Sequence, residues 1–223
     1  MFAYESSRSG IGRATLPYVG WSTAFFDYNN DGFLDVFIAN GHTLDNIELF
    51  DASTTYAQRN QLFTNRGDGT FDEVTDEAGP GLAIMKVSRG AAFGDYDDDG
   101  DVDIFVVHST QAADLLRNEG ANHEGHWLHV RVVGVTSNRD GIGAKIEIRA
   151  DGLNQIREIK SGSGLYGQSD LRATFGLGDR THIQRLQVHW PSGVVDHIDD
   201  LLADQTVVVM EGEGRVTESR GAE

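Results

Sequence analysis

Short runs in the second half of the chain alternate large apolar residues with polar ones. Residues 127–133, Trp-Leu-His-Val-Arg-Val-Val, show this two-residue period. Because successive side chains of a strand point to opposite faces, the alternation predicts strands with one buried face. The predicted strands span residues 127–133, 145–148, 155–160, 172–176, 183–190 and 206–211. Short strands separated by glycine-rich turns indicate a β-sandwich or a partly open barrel.

The first half contains β-branched and aromatic runs that flank two acidic loops. Residues 21–26 and 90–94 precede the loops, and residues 36–39 and 102–107 follow them. The composition of these runs favours strands, so each unit is predicted to be strand, acidic loop, strand. Residues 61–74 then predict a hairpin around Gly-Asp-Gly.

The two units are spaced more widely than a compact four-stranded blade requires. The loops begin at Asp27 and Asp95, which are 68 residues apart. We expect the excess in residues 41–60, a polar stretch with little periodicity. Residues 115–120 begin like the first hairpin and then diverge.

Each acidic loop has nine residues, with oxygen-bearing side chains at positions 1, 3, 5 and 9 and glycine at position 6. Side chains at this alternate spacing can converge on one point, and glycine permits the sharp bend around it. Oxygen donors in this number suit Ca²⁺, which takes six to eight. The predicted ligands are Asp27, Asn29, Asp31, the carbonyl of Phe33 and Asp35 at one site, and Asp95, Asp97, Asp99, the carbonyl of Asp101 and Asp103 at the other. At position 4, Asn30 and Asp98 are expected to face solvent, so Asp98→Ala is expected to have little effect.

The loop pattern allows two other interpretations. An EF-hand requires a bidentate Glu at position 12 and flanking helices, but position 12 is Ile38 in one loop and Val106 in the other. The EF-hand is therefore excluded. A solvated turn rich in Asp and Gly is the simpler alternative, and two copies with identical spacing argue against it.

The motifs resemble two known families. Phe-Asp-Tyr-Asn-Asn-Asp-Gly-x-x-Asp, followed by Leu-Phe-x-Asn-x-Gly-Asp-Gly-Thr-Phe, resembles the FG-GAP/VCBS repeat of integrin-α-type β-propellers. Four ordered motifs at 138–144, 161–166, 175–178 and 188–193 resemble the ASPIC/UnbV domain, which commonly follows such repeats in the cartilage acidic protein family.

These observations predict an all-β protein in which a partial β-propeller of about two FG-GAP/VCBS-type blades is followed by a β-sandwich-like domain. The repeat region is placed at 1–120, the ASPIC/UnbV-like domain at 121–215 and a polar tail at 216–223. In the second domain, Trp190 is predicted to be a core residue. Gly141, Gly143, Gly176 and Gly178 are expected to adopt backbone angles that other residues resist.

Composition narrows the classes of partner. The formal net charge is −17, which disfavours nucleic acid and anionic membranes. The sequence has no apolar run long enough to insert into a bilayer. It also has no cysteine, so disulfides cannot brace the fold. Residues 1–8 lack the pattern of a signal peptide. We therefore expect a fragment of a longer extracellular or periplasmic protein, with an unsealed sheet edge where the blades begin.

Catalytic signals are weak. His126 and His129 lack the His-Glu-x-x-His spacing and would point to opposite faces of a strand, and His123 belongs to the same short cluster. Ser192 lacks the nucleophile-elbow motif of hydrolases. Gly162-Ser163-Gly164 lacks the context of a phosphate loop. Residues 66–68 spell the adhesion tripeptide Arg-Gly-Asp, but they lie in the turn of the repeat.

The sequence thus favours a non-enzymatic calcium-binding repeat protein, with two Ca²⁺ sites, that binds an extracellular protein or glycan. The alternative is an accessory or C-terminal domain of a larger secreted enzyme, such as a hydrolase or lyase. A purely structural terminus that caps a longer propeller is a third reading. Fold analogy alone does not decide among them.

Overall fold

The computed structural model describes residues 2–120 and 125–214, together with the backbone of 216–219. Strands account for 43% of the described residues and helices for 6%, which confirms the all-β class. The strands are β1 (Gly20–Phe26), β2 (Asp35–Asn40), β3 (Gln58–Arg59), β4 (Gln61–Asn65), β5 (Phe71–Glu73), β6 (Met85–Lys86), β7 (Ser88–Gly94), β8 (Asp103–His108), β9 (Asp114–Leu116), β10 (His126–Val133), β11 (Lys145–Ala150), β12 (Leu153–Glu158), β13 (Ala173–Gly178), β14 (His182–His189), β15 (Val195–Leu202), β16 (Gln205–Met210) and β17 (Val216–Ser219). The helical segments are α1 (Ile11–Thr15) and single-turn 3-10 helices at Ile47–Leu49 and Pro80–Ala83.

Two antiparallel sheets form the two blades of the repeat region. Blade 1 has the strand order β1-β2-β4-β5, and blade 2 has the order β7-β8-β9. An acidic loop joins the first two strands of each blade, which confirms the predicted strand–loop–strand unit. The predicted hairpin is β4–β5, with Asn65 opposite Phe71.

Residues 41–60 add little regular structure to blade 1. They contain the 3-10 turn at Ile47–Leu49 and the two-residue strand β3. β3 pairs with β6, which lies just before blade 2, with Gln58 opposite Lys86. This excursion therefore links the two blades.

An aromatic cluster holds the blades face to face. The rings of Phe26 and Phe93 lie 5.0 Å apart between centroids, and those of Phe37 and Phe93 lie 5.8 Å apart. Leu62 and Ile104 extend the same buried cluster. Tilted aromatic pairs at these distances contribute beyond the area that they bury.

The second domain is a sandwich of two four-stranded sheets, with the orders β13-β10-β16-β17 and β12-β11-β14-β15. Apolar side chains from both sheets alternate inward and form one core. Its fully buried members include Leu128, Val130, Ile146, Phe175, Leu177, Ile183, Leu186, Val188, Val207 and Val209. Trp190 is buried as predicted, and its Nε1 donates a hydrogen bond to Asp196 Oδ2 at 2.7 Å.

Two strands of the sandwich were not predicted. β15 lies at a sheet edge and carries a buried Asp196 at an inward position, so its apolar alternation is weak. β17 pairs with β16 and falls within residues 216–223, which were expected to be a polar tail. Residues 220–223 and the predicted boundary at 121 lie outside the described residues.

The sandwich lies against both blades. Asp170 N donates to Phe93 O at 2.8 Å, and Phe93 N donates to Ser169 Oγ at 3.1 Å. Gly164 approaches Ser22 of blade 1. The motif at 161–166 therefore belongs to a segment that contacts β1 and β7.

The first strand of the repeat region is at an edge, as expected. β1 occupies the end of the blade 1 sheet, and Phe25 on it is 66% exposed. The segment before α1 lies at the other end of this sheet, where Phe71 N donates to Ser9 O.

We predict that Phe37→Ala lowers the free energy of unfolding by about 3–5 kcal/mol, because Phe37 is fully buried in the cluster between the blades. Chemical denaturation measures the change. Phe25→Ala is the matched control, because it removes an exposed ring from the same blade. Equal losses from the two variants would contradict the assigned core.

Candidate metal centre

The two acidic loops have the same backbone shape. Position 4 has a positive φ in both, 54° at Asn30 and 58° at Asp98. Position 6 is glycine in both, with φ 95° at Gly32 and 98° at Gly100. Any residue with a side chain would be strained at position 6. The backbone angle therefore explains why both loops have glycine there.

The position 1 carboxylate shapes each loop from inside. Asp27 accepts hydrogen bonds from Asp31 N at 3.2 Å and Gly32 N at 2.9 Å. Asp95 accepts the equivalent pair from Asp99 N and Gly100 N at the same distances. The loop therefore bends around a carboxylate whose position is fixed by main-chain donors.

The position 9 carboxylate closes each loop. Asp35 accepts from Tyr28 N at 3.1 Å and Asn65 N at 2.8 Å. Asp103 accepts from Tyr96 N at 3.0 Å and Asn118 N at 2.8 Å. Sequence reasoning did not assign a role to the two asparagines. Their shared place, three residues after a leucine in Leu-Phe-Thr-Asn and Leu-Leu-Arg-Asn, was the available signal.

The side chains at positions 1, 3 and 5 converge. In the second loop, oxygens of Asp95, Asp97 and Asp99 lie within 4.8 Å of one another. Oxygens that share one Ca²⁺ at about 2.4 Å can be at most about 4.8 Å apart, so this spacing fits the ion. In the first loop, Asn29 Nδ2 donates to Asp31 Oδ2 at 3.0 Å, which brings positions 3 and 5 together.

The position 7 residues Phe33 and Asp101 directly follow the loop glycines. Phe33 N donates to Asp31 Oδ1 at 2.8 Å, and Asp101 N donates to Asp99 Oδ1 at 3.0 Å. The Phe33 side chain is exposed, whereas that of Asp101 is buried. Only their carbonyls were predicted as ligands.

Burial makes the clustered carboxylates hard to ionise. Desolvation, followed by repulsion from Asp31, raises the pKa of Asp27 to about 7. Burial is also the main cause that raises the pKa of Asp35 to about 7 and the pKa values of Asp95 and Asp103. A bound divalent cation reverses this situation, because it stabilises the ionised carboxylates.

The expectation that position 4 faces solvent is wrong for Asn30. Asn30 is buried, and its Nδ2 donates to Gly100 O at 3.3 Å and Asp101 Oδ1 at 2.9 Å. It thereby bridges the two loops, which sequence reasoning treated as separate. Asp98 is exposed as expected, but it pairs with Arg172 of the sandwich at 2.5 Å.

The glycines of the second domain were expected to need special backbone angles. Gly141, Gly143 and Gly178 have positive φ values of 68°, 88° and 57°. Gly176 does not belong to this group. A Cβ at Gly176 would collide with the carboxylate of Asp27, so close approach of the first loop is the reason for glycine there.

Within the described part of the chain, His126 and His129 do not form a metal-binding cluster. His126 Nδ1 lies 2.7 Å from Asp204 Oδ2, whereas His129 is buried with Nδ1 3.6 Å from Asp95 Oδ2. Burial lowers the pKa of His129 to about 4, so it is neutral beside the second loop at neutral pH. His123 lies outside the described residues.

A Ser-His-Asp arrangement occurs in blade 2 but is enclosed. Ser88 Oγ lies 3.1 Å from His108 Nδ1, and His108 Nε2 lies 3.0 Å from Asp114 Oδ2. Ser88 is fully buried, and Asp114 is also paired with Lys86 at 2.5 Å. A substrate cannot reach this serine without opening the blade, so the geometry is that of an internal polar network.

Glu211 is a second feature that the sequence did not reveal. Its Oε2 accepts hydrogen bonds from the backbone N–H groups of residues 135, 136 and 137, each at 2.7 Å. Its Oε1 accepts from Ser192 Oγ at 2.5 Å. These bonds lower the pKa of Glu211 to about 2 against the effect of burial. Ser192 thus helps to hold the Glu211 side chain in place.

The Arg-Gly-Asp tripeptide is built into the β4–β5 turn. Arg66 pairs with Asp72 at 2.5 Å. Asp68 Oδ1 accepts hydrogen bonds from Thr70 N and Oγ1 at 2.9 and 2.6 Å. Both charged side chains therefore have local partners.

Comparisons with known proteins agree with this two-part organisation. A family model described as FG-GAP-like repeat matches residues 27–106, and one described as ASPIC and UnbV matches residues 134–216. Cartilage acidic protein 1 of Homo sapiens is 30% identical over 178 residues, which cover 75% of this chain and 24% of that protein. Cartilage acidic protein 1 of Mus musculus is also 30% identical over 178 residues, 75% of this chain and 25% of that protein.

The chain thus spans about a quarter of the length of the curated relatives it matches. Among the described residues, no helix is long and apolar enough to cross a membrane. Neither family description nor the relatives' name refers to an enzymatic activity. The chain thus contains an FG-GAP-like repeat region followed by an ASPIC and UnbV domain, and it is homologous to part of cartilage acidic protein 1.

Proposed function

We propose that the chain is a non-enzymatic module with two Ca²⁺ sites, one in each acidic loop, and that it belongs to an extracellular protein that binds protein or glycan. The ions would be held by the side chains at positions 1, 3, 5 and 9 and by the position 7 carbonyl. Ca²⁺ would neutralise the buried carboxylates and fix the loops.

One observation carries this proposal. Of the acidic residues in the second loop, Asp97 pairs with Arg117 at 3.1 Å, Asp98 pairs with Arg172, and Asp101 accepts from Asn30. The carboxylates at positions 1, 5 and 9 differ, because no lysine or arginine among the described residues forms an ion pair with them in either loop. Arg157 and Arg172 are near enough to act electrostatically on Asp27 and Asp95, but without a direct ion pair. Clustered carboxylates that no lysine or arginine contacts directly suit a divalent cation.

The proposed extracellular location is supported by the proposed Ca²⁺ sites and by the similarity to cartilage acidic protein 1. Millimolar Ca²⁺ outside cells is enough to fill sites of modest affinity. The relatives are named for cartilage, and the chain shares 30% identity with them over most of its length. The buried Ser88 supports a non-enzymatic role.

A cleft beside the second loop is the candidate surface for a glycan or protein partner. It has a volume of about 810 Å³ and is lined by Trp127, Arg131, Arg139, Asp140 and Thr206, among others. An aromatic ring with guanidinium and carboxylate groups suits a polar ligand.

We predict that calorimetric titration gives two Ca²⁺ per chain, and that Asp31→Asn and Asp99→Asn each reduce this number to one. Each filled site adds about 2.7 kcal/mol of stability when free Ca²⁺ is a hundred times the dissociation constant, so each variant also loses part of the calcium-dependent rise in melting temperature. Asp200→Asn is the control, because this side chain is 83% exposed on the sandwich. Two sites in all three variants would refute the ligand assignment.

We predict that the metal-free chain becomes less stable as pH rises from about 4 to 7. Asp27 and Asp35 keep their protons up to about pH 7 when folded but release them near their ordinary pKa of 3.8 when unfolded. The folded state therefore binds more protons in this window, and each pKa unit corresponds to about 1.4 kcal/mol. Denaturation in chelator across this pH range measures the slope.

Saturating Ca²⁺ is expected to remove the decline, because the ion takes the place of the protons. The double variant Asp27→Asn, Asp35→Asn is expected to flatten the profile in chelator. A slope that persists unchanged in this variant would show that other groups cause it.

We predict that Arg139→Gln weakens binding of the best oligosaccharide on an array of sulfated and neutral glycans by about tenfold, which corresponds to about 1.4 kcal/mol. The reason is the loss of a guanidinium donor from the cleft. Arg185→Gln, a change on β14 where Arg185 pairs with Asp199, is the control. Undiminished binding by Arg139→Gln would show that the cleft is not the surface that binds the oligosaccharide.

A further inference from the structure

The first acidic loop lies directly on the edge of the sandwich. Gly178 N donates to Asn30 O at 2.7 Å, and the backbone of Gly176 passes so close to Asp27 that no side chain fits between them. Leu153 of the sandwich lies against Gly32. Three successive parts of the loop therefore contact the second domain.

The second loop contacts the same sheet at the neighbouring strand β10, where Trp127 lies opposite Gly176. The indole of Trp127 occupies the space in which a Cβ of Gly100 would lie. Arg172 donates from Nη1 to Asp98 Oδ1 and from Nη2 to Asp95 O, both at 2.5 Å. Trp127 and Arg172 thus hold both ends of the loop's bend.

The two loops also contact each other, so the sandwich meets them as one unit. Asn30 bridges to Gly100 O and to Asp101. Asn118, whose backbone closes the second loop, donates from Nδ2 to Tyr28 O in the first loop at 2.7 Å. A change in the shape of one loop is therefore transmitted to the other.

Docking of the sandwich on these loops buries negative charge. Asp27 and Asp95 are only 3% and 4% exposed with the sandwich in place. Taking ionised carboxylates out of water is costly unless a cation accompanies them. A divalent ion in each loop would offset this cost and would hold the loop in the shape that fits the sheet.

We propose that the outer face of β10 and β13, centred on Trp127, Gly176 and Gly178 and flanked by Arg172, is a docking surface for the pair of Ca²⁺-loaded loops. Calcium would therefore control whether the sandwich is fixed against the blades. This inference rests on the proposed calcium binding. It also gives the Phe-Gly-Leu-Gly motif at 175–178 a role between domains, in addition to its role in the sandwich core.

The absence of cysteine from the chain allows a direct distance measurement. Spin labels on Ala52→Cys, in the excursion that follows β2 of blade 1, and on Asp200→Cys of the sandwich report the separation of the two domains by pulsed electron resonance, and both positions are exposed. We expect a narrow distance distribution in Ca²⁺ and a broad one in chelator. A distribution that is equally narrow in both conditions would overturn the proposal.

Two variants that break the same ion pair distinguish a loss of docking from a direct effect of charge on Ca²⁺ affinity. Arg172→Gln removes a positive charge near the second loop, whereas Asp98→Asn removes a negative one. By charge alone, the first would tighten Ca²⁺ binding and the second would weaken it. Because coupled equilibria are reciprocal, loss of docking instead weakens Ca²⁺ binding in both, by about tenfold.

Calorimetry and the label distances are measured on each variant, with Arg185→Gln as the control. We expect both ion-pair variants to keep a broad distribution in Ca²⁺ and the control to behave like the parent chain. Opposite shifts in affinity with narrow distributions would overturn the docking proposal while leaving calcium binding intact. A parent chain that takes up no Ca²⁺ in the calorimeter would refute the proposed function itself, whatever the distances show.

Discussion

Much of this structure depends on burying carboxylates of like charge where two blades and a sandwich meet. The position 1 and position 9 carboxylates of both loops are almost inaccessible to water. Each accepts two backbone N–H groups, so it is hydrogen-bonded but not neutralised. Repulsion between the carboxylates and the loss of their hydration remain, and both effects raise the pKa values of these groups.

The same hydrogen bonds explain why the loops keep their shape. A carboxylate that accepts N–H groups at positions 5 and 6 enforces the bend that the glycine permits. The Asn65 and Asn118 contacts then tie each loop to the hairpin or strand that follows it. The side chains proposed as ligands are thus arranged by the main chain itself, an arrangement that would reduce the ordering cost of binding a cation.

The sequence was sufficient where a local pattern had a local cause. The loop motif predicted the sharp bend at the position 6 glycine, and alternation located six sandwich strands. The sequence did not predict features whose cause lies far along the chain. The burial of Asn30 depends on Gly100 and Asp101, seventy residues away. Glu211 resembles any surface glutamate until residues 135–137 surround it.

Gly176 shows the same limit in another form. A glycine in a strand is usually explained by its own backbone angles, and the sequence suggests nothing else. Residue 176 is instead glycine because the Asp27 carboxylate of the other domain occupies the space that a side chain would need. Contacts of this kind become visible only when two domains with separate motifs are placed together.

The two loops share one pattern of carboxylates but differ in the number of acidic residues around it. The second loop has three acidic residues that the first lacks, Asp97, Asp98 and Asp101. Each has its own partner, Arg117, Arg172 and the Asn30 amide respectively. What remains in both loops is the set of carboxylates at positions 1, 5 and 9. Asp98 and Asp101 therefore serve contacts with the sandwich and the first loop, and the spacing that the two loops share marks the positions proposed to hold the metal.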